Sequence, residues 1–326
     1  MKNPIYLPMR LKLFCIYLIC LFSINVSAQD SLRLSQQWNN QLVLDSLVLE
    51  KPSLNKSKLQ AAIITESALY FGSMAYLQFI WYKDQERVPF HFYDDSKGFL
   101  QIDKMGHAYG AYTESYLCYK WLRNAGVNKK KSLLYGGTMG IILQTPIEVF
   151  DGLYENWGFS WSDMAANTAG SLLVMGQEVL FDRQILQYKF SFTRSIYAPQ
   201  SNGYLGDNTL ESLFLDYNGH TYWLSTNVNN FLLKDKIPSW VNIAVGYSAN
   251  GMYGEFENRT TWRGVPLPEA ERYRQFFLSP DIDWTQIPTD SKFLKGLFQT
   301  LNFIKIPAPA LELDGRGKFK AHWIYF

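Results

Sequence analysis

The feature that most constrains this chain is a change of period near Asp182. Before it, apolar residues recur every three or four positions along four stretches: Ala61 to Tyr82, Lys104 to Leu122, Ser132 to Phe150, and Ser162 or Asp163 to Phe181. That spacing lines one side of an α-helix. After it, Tyr222, Leu224, Thr226 and Val228 alternate with Trp223, Ser225 and Asn227, and Val241, Ile243, Val245 and Tyr247 alternate with Asn242, Ala244 and Gly246. A period of two belongs to a strand. Tyr273 to Leu278, Leu311 to Leu313 and Lys318 to Phe326 read as further strands, with Asp314-Gly315 as a turn.

The two periods predict an α+β protein in which a four-helix bundle over residues 57–185 precedes a β-rich region over 186–326, and the length of the first segment and the aromatic content make the bundle membrane-associated. Ala61 to Tyr82 is long enough to span a bilayer, although Glu66 and Gln78 interrupt it. Ser162 or Asp163 suits the N-cap of the last helix. Gly136 and Gly140, four apart, would let another helix approach closely. Pro146 should kink its helix or restart it. The connection from Lys83 to Lys97, with Asp94 and Asp95 adjacent, reads as a solvated loop. Five or six strands fall short of the eight that a closed outer-membrane barrel needs, so a small β-rich region on or beside the bundle is expected. Pro307 and Pro309 place their stretch at an edge or in a linker. Lys320 and His322 share a strand face with Ile324 and Phe326.

The first 28 residues carry an export signal: Lys2, Arg10 and Lys12, a short apolar run from Leu13 to Phe22, then Val26-Ser27-Ala28 before Gln29. Cys20 offers lipoprotein processing instead, against which stands the bulky Ile19 before it. Residues 29–56 read as an exposed polar arm with one short helix around Gln41 to Leu47. Cleavage takes the 31 basic residues to 28 against 29 acidic ones and leaves Cys118 as the single cysteine. A nearly neutral chain argues against nucleic acid as partner. One cysteine excludes an intramolecular disulfide, so any metal must be held by His and carboxylates. Aromatic residues make up 16% of the chain, which favours a membrane interface. The mean hydropathy of −0.15 restricts embedding to part of the molecule.

Polar residues form stripes inside the apolar stretches. Asp103, His107, Gly110 and Glu114 are spaced four, three and four apart; Gln144, Glu148 and Asp151 share a face of the next helix; Asp163, Asn167, Gly170, Val174 and Gln177 share a face of the last. Ionisable groups are costly in such surroundings and call for a partner or a ligand. If the stripes converge, the bundle has a polar centre near His107, Glu148 and Asp163. The expected ligand-binding set is Asp103, His107, Glu114, Gln144, Glu148, Asp151, Asp163 and Asn167. A divalent cation would use Asp103, His107, Glu148, Asp151 and Asp163, which supply oxygen and nitrogen donors. Alternatively, His107 and Glu148 act as acid and base on a substrate headgroup, with Asp103 orienting the imidazole. The third reading is a structural network in which Lys104 pairs with a carboxylate and His107 is hydrogen-bonded in a core. No spacing diagnostic of one metal or one enzyme class is visible. Trp157, Phe159 and Trp161 read as packing beside this centre, and Gln177 and Glu178 as paired or solvent-facing.

Asp103-Lys104-x-x-His107, then Ile147-Glu148, then Ser162-Asp163-x-x-Ala166-Asn167-x-x-Gly170 resembles the core of the VanZ-like membrane proteins. The longer run from Gln144 to Gly152, with Trp157-Gly158-Phe159-Ser160, resembles more specifically the YfiM-like family of predicted periplasmic lipoproteins of unknown function. The resemblance covers residues 60 to 185. It implies an exported cell-envelope protein, periplasm-facing and membrane-associated, in contact with membrane lipids or envelope components such as peptidoglycan precursors. The terminal aromatic on an alternating strand favours the outer membrane over the inner, and with it a role in outer-membrane assembly or as a scaffold. Two departures from the VanZ-like pattern, Asp151 in place of a Gln and a connection from Leu153 to Ser160 without its usual Arg, favour a metal or a structural network over an anionic headgroup. Otherwise the expected activity is that of a hydrolase or transferase on an envelope lipid or glycan, through His107 and Glu148.

Overall fold

A computed structural model describes residues 54–82, 85–230 and 237–326. The export signal, residues 29–53 of the arm and the short helix expected around Gln41 to Leu47 lie outside the described residues. The fold is α+β: a helical layer, then an antiparallel sheet.

Helix α1 spans Lys56–Tyr76, capped by the Asn55 side chain, which accepts from Lys58 N, and it runs into a π-helical turn at Leu77–Trp81. No described helix is long and apolar enough to cross a membrane. Ala61 to Tyr82 therefore does not form the spanning helix that its length suggests. The central helix, α2, covers Ile102–Asn124. The stretch expected as one helix from Ser132 to Phe150 is two, α3 at Lys129–Tyr135 and α4 at Met139–Asp151. The break falls at Gly136 to Thr138, whereas Pro146 lies within α4. Helix α5 covers Trp161–Phe181, and its N-cap is Ser160, whose Oγ accepts from Asp163 N at 3.0 Å. Capping by Ser160 frees the Asp163 carboxylate for other partners.

Two glycines set how closely the helices meet. A Cβ at Gly140 of α4 would lie 2.1 Å from the Ala111 carbonyl of α2, and one at Gly170 of α5 would lie 2.1 Å from the Ala108 carbonyl of α2. Both contacts are backbone against backbone, so nothing larger than hydrogen fits. The approach carries the stripes of α4 and α5 onto that of α2.

Strands β1 (Leu186–Phe192), β2 (His220–Asn227), β3 (Val241–Asn250), β6 (Tyr273–Ile282), β7 (Ala308–Asp314) and β8 (Phe319–Tyr325) form one sheet in that order; β4 (Thr261–Trp262) and β5 (Val265–Pro266) make a small ribbon. Two short helices, α6 at Thr209–Leu215 and α7 at Lys292–Leu301, sit in the connections. Pro309 lies inside the sheet after all, at a register shift between Ala308 and Ala310 where β7 and β8 lose their regular pairing. The irregularity also turns Tyr325, rather than Ile324, towards the side that His322 faces, where both rings meet Phe277.

The sheet is curled. Phe190 of β1 donates to the Phe303 carbonyl at 3.0 Å and accepts from Lys305 N at 2.9 Å, so residues 303–305 pair with β1. Ala308, four residues after Ile304, already begins β7. In a flat sheet β7 would stand about 19 Å from β1 at roughly 4.8 Å per strand, further than the roughly 14 Å that four extended residues can reach. The inner face closes accordingly: the Tyr325 and Thr221 hydroxyls are 3.1 Å apart, and the Tyr325 and Trp223 rings 6.0 Å.

Helices and sheet share a core in which Ile102, Tyr112 and Val174 pack against Tyr188 and Tyr222 on the outside of β1 and β2. Just before α2, Phe99, Leu100 and Gln101 are all left-handed, with φ of 45°, 51° and 67°. Non-glycine residues adopt this conformation at a cost. It is held by the sheet side: Phe99 N donates to the Glu255 carbonyl at 2.7 Å, the Tyr247 hydroxyl donates to the Leu100 carbonyl, and Arg274 donates to the Gln101 side chain at 2.7 Å.

Candidate functional site

The centre of the cluster is an ammonium group. Lys104, in the first turn of α2, is buried, and its Nζ lies 2.6 Å from Asp95, 2.9 Å from Asp103 and 2.7 Å from Asp163. One turn on, His107 Nδ1 lies 3.3 Å from Asn167 Oδ1 and 3.6 Å from Glu148 Oε1, and its Nε2 lies 3.7 Å from Asp163 Oδ1. The stripes of α2, α4 and α5 therefore converge, the condition on which a polar centre near His107, Glu148 and Asp163 depends. One ligand atom each of Asp103, His107 and Asp163 fall within 4.8 Å of one another.

Not every member of the stripes joins. Asp151 turns aside to accept from the Tyr82 hydroxyl, and Tyr82 stacks on Tyr154 with ring centroids 4.2 Å apart. Glu114 and Gln144 pair with each other at 3.0 Å, two helical turns beyond His107. Gln177 is bound further along α5, where its side-chain oxygen accepts from Ile185 N and Leu186 N at the start of β1. Glu178 is likewise buried and paired, accepting from the Tyr119 hydroxyl at 2.8 Å.

The expectation of a solvated Lys83 to Lys97 loop fails at Asp95. This carboxylate is buried, and besides Lys104 it accepts from the Ser160 hydroxyl at 2.5 Å and the Ser162 hydroxyl at 2.7 Å. The connection is pinned to the helices by backbone bonds such as Tyr93 N to the Phe159 carbonyl at 3.0 Å. The remaining member that sequence reasoning missed is Tyr217, whose hydroxyl donates to Asp103 at 3.2 Å. A polar loop gives no sign of such pairing, because its partner is decided by the fold. Trp161, read as packing, stacks on Phe92 with ring centroids 6.2 Å apart and stays largely exposed.

Electrostatics follows from burial and crowding. Burial pushes the Glu148 carboxyl up to about 8 and that of Asp163 to about 7, although the nearby His107 charge pulls both down. Asp151 and Glu114 are raised by burial as well, to about 7 and about 8. Burial works the same way on Asp95, but hydrogen bonds with Asp163, Lys104, Ser160 and Ser162 outweigh it and hold the carboxyl at about 2. For His107, burial disfavours the imidazolium; Asp103, Asp163 and Glu148 together outweigh burial and raise it. Four carboxylates, Asp95, Asp103, Glu148 and Asp163, thus surround one permanent cation and one imidazole.

In the residues around His107 three buried polar atoms lack a hydrogen-bond partner among the described residues; Asp163 Oδ1 is held by Lys104 Nζ at 2.7 Å, and the other two belong to Glu148 and Asn167. Glu148, 1% exposed, accepts from Ser160 N at 3.3 Å through Oε2, while its Oε1 has no hydrogen-bond partner among the described residues. Asn167, with no exposure at all, is in the same position at Nδ2. Buried polar atoms are normally satisfied, so these two mark where something else can be held. A cleft of about 790 Å³ between the C-terminal parts of α2 and α5 and the segment around α7 contains none of these residues.

Residues 90–176 match the profile of a family described as "Predicted periplasmic lipoprotein (DUF2279)". The matched segment contains Asp95, Asp103, Lys104, His107, Glu148, Asp163 and Asn167 and stops short of the sheet. No curated protein and no solved structure matches the chain.

Proposed function

We propose that this is an exported cell-envelope protein whose helical layer binds a divalent cation between His107 and the carboxylates of Asp103, Asp163 and Glu148. The observation that carries this reading is the Glu148 oxygen facing His107 at 3.6 Å without a hydrogen bond, in a site where carboxylates outnumber cations. Imidazole nitrogen and carboxylate oxygen are donors for borderline and hard divalent ions. The single charge of the Lys104 ammonium is shared by Asp95, Asp103 and Asp163, which leaves negative charge on the His107 side of Asp103, Asp163 and Glu148 for the ion. Asp151, held by Tyr82, lies outside this set. An envelope location agrees with the export signal at the N-terminus and with the description of the family that residues 90–176 match.

Calorimetric titration of the mature protein with Mn²⁺ or Zn²⁺ should give one saturable site. His107→Ala and Asp163→Asn should weaken it at least tenfold and Asp151→Asn should leave it within twofold. Absence of saturable binding, or equal loss in all three variants, overturns the reading.

A second reading has an observation of its own. A Glu148 carboxyl raised to about 8 beside His107 keeps its proton near neutral pH, as a general acid requires. In that case the pair would act on an envelope lipid or glycan. Wild-type protein would release headgroup or sugar from labelled envelope extracts, and Glu148→Gln would not.

A further inference from the structure

The curled sheet encloses buried polar and charged groups around a small apolar cluster of Trp223, Ala244, Phe277 and Ala310, and it is apolar outside. Lys189 and Asp281 form an ion pair at 2.7 Å with no exposure of either side chain, and Lys189 also donates to the Ile282 carbonyl at 2.6 Å. Ser225 donates to Asp281 at 2.6 Å, Gln275 donates to Glu312 at 2.5 Å, and His322 meets Glu312 at 2.6 Å. Facing the other way, residues paired across the strands line up in rows. Val245, Leu278, Leu311 and Ala321 make one row, and Phe276, Leu313 and Phe319 make the next. All of these are exposed. The helices cover the outside of β1 and β2 and leave this part of β3, β6, β7 and β8 bare.

We infer that this bare face seats the protein on a lipid bilayer, in the boundary between headgroups and acyl chains of one leaflet. A soluble sheet turns polar residues to water; a wholly apolar outer face over an interior that holds buried charges is what a lipid surrounding selects. Chemistry separates lipid from a protein partner. Across Ile243, Val245, Phe276, Leu278, Pro280, Pro309, Leu311, Leu313, Phe319 and Ala321 no side chain can form a hydrogen bond, whereas protein interfaces carry about one hydrogen bond per 100–200 Å². Trp323 and Trp240, both exposed, border the face at the end of Ile243 and Pro280, where an interfacial aromatic belongs. The only charged side chain facing outward on β6 is Arg274, at the opposite end and tied to Gln101. The depth follows from the edge. No described strand lies beyond β8, so its outer backbone groups need water or headgroups and could not lie across the hydrocarbon core. The inference is independent of cation binding, since it uses none of the residues around Lys104.

The test places a fluorophore on the face. Val245→Cys, Leu278→Cys and Leu311→Cys, each labelled with an environment-sensitive nitrobenzoxadiazole dye, are mixed with vesicles of phosphatidylethanolamine and phosphatidylglycerol that carry a nitroxide at acyl carbon 5 or 12. Native Cys118 is 3% exposed and stays unlabelled. The three labels should shift to the blue and be quenched at least twofold, more strongly by the shallow nitroxide, whereas a label at Lys292→Cys on α7 should not change. Val245→Lys with Leu278→Lys replaces exposed side chains and should keep the circular dichroism spectrum while vesicle binding falls at least tenfold. The inference is overturned if the labels continue to report water, if the double variant sediments with vesicles as the wild type does, or if Leu278→Cys copies cross-link to one another and ignore vesicles.

Discussion

Both halves of the molecule bury charge, and they balance it differently. Inside the sheet two ion pairs are matched, Lys189 with Asp281 and His322 with Glu312, while the buried Lys305 ammonium donates to the Ile306 carbonyl and lies over the Trp223 ring. In the helical layer Asp95, Asp103, Glu148 and Asp163 divide Lys104 and His107 among them. A matched pair leaves little net charge to balance, because each desolvated charge already has its opposite. A surplus of carboxylates does not, and it must take up protons or attract a cation. On the proposed reading, the contrast separates a cluster that holds the fold from one that holds a cation.

The largest loss of stability is expected at the matched pair. Lys189→Ala leaves the Asp281 charge buried without its partner and should cost about 3–5 kcal/mol in urea unfolding, while Lys189→Met combined with Asp281→Leu should recover most of that loss. Lys104→Met removes the ammonium shared by three carboxylates and should cost about 3 kcal/mol in chelator-treated protein. Saturating Mn²⁺ should restore part of this stability; no restoration would make the surplus a structural feature only. Gly170→Ala forces a methyl into the Ala108 carbonyl and should cost about 1–3 kcal/mol, with weaker cation binding because α5 carries Asp163 and Asn167.

Acidity sharpens the contrast further. Glu114, raised by burial from 4.5 to about 8, holds its proton more tightly in the folded chain than in the unfolded one. Its contribution is complete below pH 4.5 and is lost as pH rises towards 8. Thermal unfolding of the wild type should therefore fall from pH 5 to pH 9, and Glu114→Gln should make that fall shallower. The smallest effect is expected at the cap: Ser160→Ala removes the hydroxyl that accepts from Asp163 N and donates to Asp95, at about 1 kcal/mol.

What was legible in the sequence was what periodicity encodes. Spacing places His107, Glu148, Asp163 and Asn167 each on one face of α2, α4 or α5, and the packing of these helices brings the faces together. Strand β1 was equally legible in principle, since Gln187, Lys189 and Ser191 alternate with Tyr188 and Phe190. It was missed because its inner residues are polar and its outer ones apolar, which does not read as a core strand. Asp95 and Tyr217 were not legible, because each reaches the site from a loop or a one-turn helix whose path depends on distant contacts. Asp151 shares a face with Glu148, yet its side chain is claimed by Tyr82, a residue 69 positions away. Spacing shows which groups can meet and is silent on competing partners.

The left-handed run from Phe99 to Gln101 has a mechanical consequence. It lies between Asp95 and Asp103, which grip the same ammonium, and its own backbone is fastened to Tyr247 of β3 and to Glu255 in the loop that follows. Such a run acts as a rigid bracket rather than a hinge, since its residues have little freedom to rotate once they are in that conformation. Three residues thus tie β3 and the loop after it to two of the carboxylates around Lys104, so the geometry of the charge cluster is fixed jointly by the sheet and the helices.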